Sequence, residues 1–160
     1  MSAFKIMERA NLLDWHTLLV GLEHGWCEKT HLFKYAEECL RHATGEIDGD
    51  LISIVVGESI PDNELISICL HFIETHGKPL SQKKKDESLE KWRFAHLSSL
   101  LGSKDSDEEK IKALQELYSQ FGFPKDMASC SVYRNNGIDP LIAAQSVVQT
   151  LPQKFNLFKN

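Results

Sequence analysis

Residues 61–79, PDNELISICLHFIETHGKP, carry the strongest architectural signal in this chain. Pro61 suits a first helical turn, where its missing N–H costs nothing, and Asp62 and Glu64 follow at the positive end of the helix dipole. Leu65, Ile66, Ile68, Cys69, Leu70, Phe72 and Ile73 then recur at helical spacing until Gly77 and Pro79 stop the run. The segment is apolar on most sides. That predicts a helix at the centre of an all-α fold.

Upstream, the same punctuation repeats. Asp14 is placed to cap a helix through Trp15, Leu18, Leu19 and Leu22 that stops near His24-Gly25. The next helix starts at Glu28 or Lys29. Its apolar stripe runs through Leu32, Phe33, Ala36, Cys39, Leu40 and Ala43, with Gly45 expected at its C′ position. Asp48 or Asp50 caps a short helix over Leu51–Val56, although that β-branched run also fits a buried strand.

Downstream, Ser81–Lys85 reads as a basic connector, and Asp86 opens a helix through Leu89, Trp92, Phe94, Ala95, Leu97, Leu100 and Leu101. Asp105 or Ser106 caps the next helix, whose face is Ile111, Leu114, Leu117, Tyr118 and Phe121, closed by Gly122 and Pro124. A short turn over Pro124–Ser129 and an ordered loop over Ser131–Gly137 precede Asp139-Pro140, a cap followed by a first-turn proline. The last helix buries Leu141, Ile142, Ala144, Val147, Val148 and Leu151 and ends before Pro152, leaving Phe155, Leu157 and Phe158 to dock as a tail. The sum is an irregular bundle of seven to eight helices forming a single domain over residues 1–160.

The chain's 160 residues suit one domain, and 42% hydrophobic with 26% charged residues is ordinary globular composition. Cys27, Cys39, Cys69 and Cys130 form no CxxC pair; three of them sit inside apolar helical patterns, where a thiol behaves as a small hydrophobe, while Cys27 stands beside Trp26 at a helix junction. With no signal peptide expected, and no stretch near the roughly 20 apolar residues of a membrane span, the predicted location is cytoplasmic.

Charge is less ordinary. Residues 1–77 carry 5 basic and 13 acidic side chains, whereas residues 78–160 carry 13 basic and 10 acidic, within a net of −5. Between 37 and 64 stand Glu37, Glu38, Glu46, Asp48, Asp50, Glu58, Asp62 and Glu64 against Arg41 alone. Several have capping or dipole roles, yet ordinary surfaces intersperse both signs. Such a field repels nucleic acid and attracts a basic partner. These eight carboxylates are the expected partner-binding residues.

Catalytic machinery is harder to find. There is no GxSxG, GxxxxGK[ST] or GxGxxG. Glu28 and His31 match ExxH once, where di-iron bundles need the pair twice with two further glutamates. Cys27 and His31 can share a face but lack third and fourth ligands, and Glu38 with His42 fits an intrahelical surface pair. His71 and His76, five apart, do not share a face and read as polar surface. Lys83, Lys84 and Lys85 read as a solvated loop and helix start; Trp15, Trp26, Trp92, Phe72, Phe94 and Phe121 read as core, with Trp26, Tyr118 or Tyr133 the alternative candidates for rim anchors. No cofactor and no enzymatic activity are expected; a small helical metal- or cysteine-dependent enzyme, or a helical adaptor, are the competing readings.

One resemblance sharpens this. Phe4 through Leu13, then Asp14-Trp15-His16-Thr17-Leu18-Leu19-Val20-Gly21-Leu22 and Gly25-Trp26, followed by Tyr35-Ala36-Glu37-Glu38 and extending to the Asp139-Pro140 helix, are similar to a bacterial family encoded beside polymorphic toxins. Members resemble immunity proteins of contact-dependent or secreted toxin systems with nuclease C-terminal domains. The resemblance implies a small helical protein that binds and occludes a cognate toxin nuclease, an EndoU-like RNase being one expected type. Its motifs are structural and carry over no interface residue.

Overall fold

Short polar side chains set the helix starts. Ser2 accepts from Lys5 N (3.3 Å) to begin α1, Ala3–Arg9. Asp14 accepts from Thr17 N (2.7 Å) while Asp14 N donates to Thr17 Oγ1 (2.8 Å), a reciprocal box that begins α2, Trp15–His24. Gly25, at φ +74°, ends that helix in the left-handed conformation that lacks a penalty only for glycine. Then follow α3 (Lys29–Arg41), α4 (Gly49–Val55), α5 (Asp62–Thr75), α6 (Gln82–Leu101), α7 (Asp107–Gln120) and α8 (Pro140–Leu157), with 3-10 turns at Gly57–Ser59 and Lys125–Cys130. The computed structural model describes residues 1–46, 48–76, 79–133 and 137–157, the last two by backbone alone. Among these residues every regular element is helical, so the fold is all-α.

Two compact units make up the chain. One is Leu13–Asp86; the other joins Met1–Leu12 to Glu87–Asn160. In the first, α3 packs on α4, α4 on α5, and α2 on both α3 and α5. Leu18, Leu32, Ala36, Ile54, Leu65 and Cys69 are fully or almost fully buried there. In the second, α7, α8 and the Lys125–Cys130 turn pack on one another. Its core is Leu97, Leu114, Met127, Cys130, Ala144, Val147, Leu151 and Phe155, with Phe94 edge-on to Phe155 at 5.7 Å.

Several expectations change. The central helix proves amphipathic: α5 buries Leu65, Cys69, Phe72 and Ile73 but leaves Leu70 36% exposed. Pro61 is the N-cap rather than the first helical residue, and α5 ends at Thr75; Gly77 lies outside the described residues. Helix α3 stops at Arg41, four residues before Gly45, and Ala43 is exposed. The segment after Asp48 is a helix and not a strand.

The basic connector is helical. Lys84 N donates to Ser81 Oγ (3.2 Å), so α6 begins at Gln82, and Asp86 instead receives Gln82 Nε2 (2.9 Å) one turn on. Pro152 lies inside α8, because buried Phe155 rewards another turn beyond it. Phe158 and Arg134–Asn136 of the expected ordered loop lie outside the described residues. Helix α1 has no counterpart in the sequence reading; Ser2 and the buried Met7 were its signals.

Candidate functional site

All eight carboxylates of the 37–64 window fall in the Leu13–Asp86 unit, and the structure sorts them by partner. Glu37 (3.7 Å) and Glu38 both fold onto Arg41, and His42 Nε2 stands 3.5 Å from Glu38. Asp62 pairs with Lys29, whose Nζ also donates to the Ile60 carbonyl (3.1 Å). Lys29 lies outside the acidic window, so counting charges within the window missed it.

Asp48 and Asp50 come together at the start of α4. Asp48 Oδ1 accepts from Asp50 N (2.8 Å) as the N-cap, and its Oδ2 lies 3.8 Å from His76 Nε2. His71 Nδ1 is 2.6 Å from Asp50 Oδ2. Read as polar surface, the two histidines are indeed exposed, but each reaches a carboxylate on another helix. Proximity to Asp50, and more weakly to Glu74 and Asp48, raises the proton affinity of His71. Glu46, Glu58 and Glu64 are exposed and have no ion pair among the described residues. They stand before α4, in the turn after it, and in the first turn of α5.

The negative field is thus narrower than eight formal charges. Even so, residues 13–86 hold 7 Lys and Arg against 13 Asp and Glu, a net of −6, while the other unit holds 11 against 10, a net of +1. In sequence between Glu46 and Glu58, Ile52 on α4 (45% exposed) and its C-cap residue Val56 (66% exposed) are both solvent-exposed. An aliphatic centre beside carboxylates has the composition of a protein contact surface, with an apolar middle and a polar rim.

The candidate chemical groups are committed elsewhere. Cys27 Sγ donates to the Leu18 carbonyl (3.4 Å), and burial pushes its thiol up to about 12. Cys69 is likewise raised to about 12 and Cys130 to about 11 by burial, so the thiolate nucleophile is not formed near neutral pH. His31 Nδ1 accepts from Glu28 N (2.9 Å), which makes the ExxH match a helix-start contact. No three His, Cys, Asp or Glu side chains among the described residues gather closely enough to hold a metal ion.

Of the expected rim anchors, Tyr133 is 92% exposed, whereas Trp26 stacks on His24 at 4.4 Å and Tyr118 packs edge-on to Phe123 at 5.1 Å. A groove of about 280 Å³ runs between α8 and the Lys125–Cys130 turn, lined by Asp126, Ser129, Ile138, Ile142, Ser146 and Thr150 among others. Its single carboxylate, Asp126, is already neutralised by Arg93, so the groove selects no charge. Among the described residues no helix is long and apolar enough to cross a membrane.

A family model described as "Uncharacterized protein conserved in bacteria (DUF2247)" matches residues 4–153. No curated protein and no solved structure matches the chain.

Proposed function

The chain belongs to the bacterial DUF2247 family, and from that premise we propose that it is an immunity protein: a non-enzymatic, cytoplasmic inhibitor that binds a basic toxin nuclease. What supports this reading is the set of exposed Glu46, Glu58 and Glu64, without an ion pair among the described residues, together with exposed Ile52 and Val56, in a unit of net charge −6. Nucleases that act on polyanions present lysines and arginines to phosphates. A rigid acidic helical surface offers those side chains an alternative, which speeds encounter and selects the partner.

Inhibition on this reading is occlusion. Carboxylates of the α3–α5 face hydrogen-bond the cationic cleft over an interface of roughly 1,200–2,000 Å², and the toxin, an RNase of the EndoU-like type, loses access to its substrate. Co-expression with the polypeptide encoded immediately upstream, followed by co-purification at low and high salt, is the test. A complex that weakens with salt and abolishes nuclease activity supports the reading. Recovery of the two chains separately at every salt concentration overturns it.

A further inference from the structure

We propose that the start of α4 is latched to the end of α5 by the His71–Asp50 contact, beside the approach of His76 to Asp48, and that the His71–Asp50 contact tightens when that imidazole is protonated and weakens when it loses the proton. Both acids belong to the start of α4 and both histidines to the end of α5, 21 and 28 residues further along. The two helices therefore run antiparallel, and the latch closes the end opposite the Gly57–Ser59 turn. Among the described residues, the rest of the α4–α5 contact is packing. A helix of seven residues has little stability of its own, so it depends on such contacts.

The groups around the latch agree in sign. Asp50, Asp48 and the Glu74 carboxylate on α5 itself all face His71 and favour its cation. His76 Nδ1 lies 2.8 Å from the Phe72 carbonyl, and its ring packs on Phe72 at 4.3 Å. From α2, the side chain against this part of α5 is the uncharged Trp15, 5.2 Å from Phe72. From α3, which packs on α4, the charged groups Glu37, Glu38, Arg41 and His42 pair with one another.

His71 binds its proton more tightly in the folded chain than at its ordinary value of 6.5. Its contribution is therefore complete below that value and is lost as pH rises through the higher folded one. The latch thus weakens as pH rises above the ordinary imidazole value. This inference stands whether or not the acidic face meets a partner.

The test combines an NMR titration of the histidine rings with hydrogen-exchange protection factors for the α4 amides between pH 5.5 and 8. His71 is expected to titrate above 6.5, and α4 protection to fall about two- to fivefold over that range, the scale of an exposed ion pair. Amides of α7 serve as the reference and do not follow. Asp50→Asn leaves the Asp48 cap in place, so α4 still forms. It should move His71 down toward its ordinary value, with Glu74 and Asp48 still favouring the cation, and reduce the α4 dependence. Wild-type His71 titrating at 6.5, or an α4 dependence in Asp50→Asn as large as in the wild type, overturns the proposal.

Discussion

Arg93 and Asp126 meet as a bidentate pair: Nη1 donates to Oδ1 at 2.6 Å and Nη2 to Oδ2 at 2.9 Å, with Nη2 also reaching Glu90 Oε2 at 2.6 Å. The arginine is 2% exposed, and the pair ties the Lys125–Cys130 turn to α6. The two carboxylates, each about one-third exposed, can be solvated alone; the guanidinium cannot. Removing the acid should therefore cost more than removing the base. Asp126→Ala is expected to lose about 3 kcal/mol, the low end for an uncompensated buried charge because Glu90 remains, and Arg93→Met clearly less. Urea midpoints of the two variants decide the order.

His96 carries the clearest pH signature of stability. Burial among Trp92 and Phe121 lowers it to about 4, so it stays neutral in the fold while the unfolded chain takes up a proton near 6.5. Between those values the unfolded state binds more protons, and stability falls as pH falls. The loss is on the order of 3 kcal/mol by pH 4 and then levels off. His96→Gln should remove that component of the slope in denaturation curves taken from pH 4 to 7.

Pro152 sits inside α8, where it supplies no N–H to the preceding turn. Pro152→Ala restores that donor and is expected to stabilise the chain by about 1–3 kcal/mol. Phe155→Ala, beyond the proline, should cost about 3–5 kcal/mol, since it removes the buried ring that rewards the last turn. Thermal melts of both variants test whether the turn after Pro152 is held by packing.

Charge reversal distinguishes field from fold. Asp48 caps α4, so Asp48→Ala is expected to cost about 1 kcal/mol before any partner is present. Glu58 and Glu64 have no ion pair among the described residues, so Glu58→Lys with Glu64→Lys should leave stability within about 0.5 kcal/mol. On the proposed function the same double change slows association with the basic partner while dissociation changes little. Stopped-flow or surface-based kinetics against the co-purified polypeptide reads the difference. Unchanged association would move the interface away from the α4–α5 face.

Much of the helical framework was legible because its signals are local. Asp14, Ser106 and Asp139 each satisfy backbone N–H groups within three residues, so their side chains announce the starts of α2, α7 and α8. Gly25 and Gly122, at φ +74° and +73°, announce two ends. Misplaced boundaries had one local and one tertiary cause. The Ser81 cap competed with a more conspicuous Asp86, and Pro152 was overruled by the burial of Phe155.

What the sequence determined by itself was the helical class, most helix starts and the excess of carboxylate between 37 and 64, since each depends on residues within a turn or two of one another. Only the tertiary structure decided which carboxylates remain free. Lys29 reaches Asp62, His71 reaches Asp50 and Asp126 holds Arg93 across 33, 21 and 33 residues respectively. Pairing of that kind depends on which helix ends pack together, and charge neutralisation acts through space at a few ångströms, blind to distance along the chain.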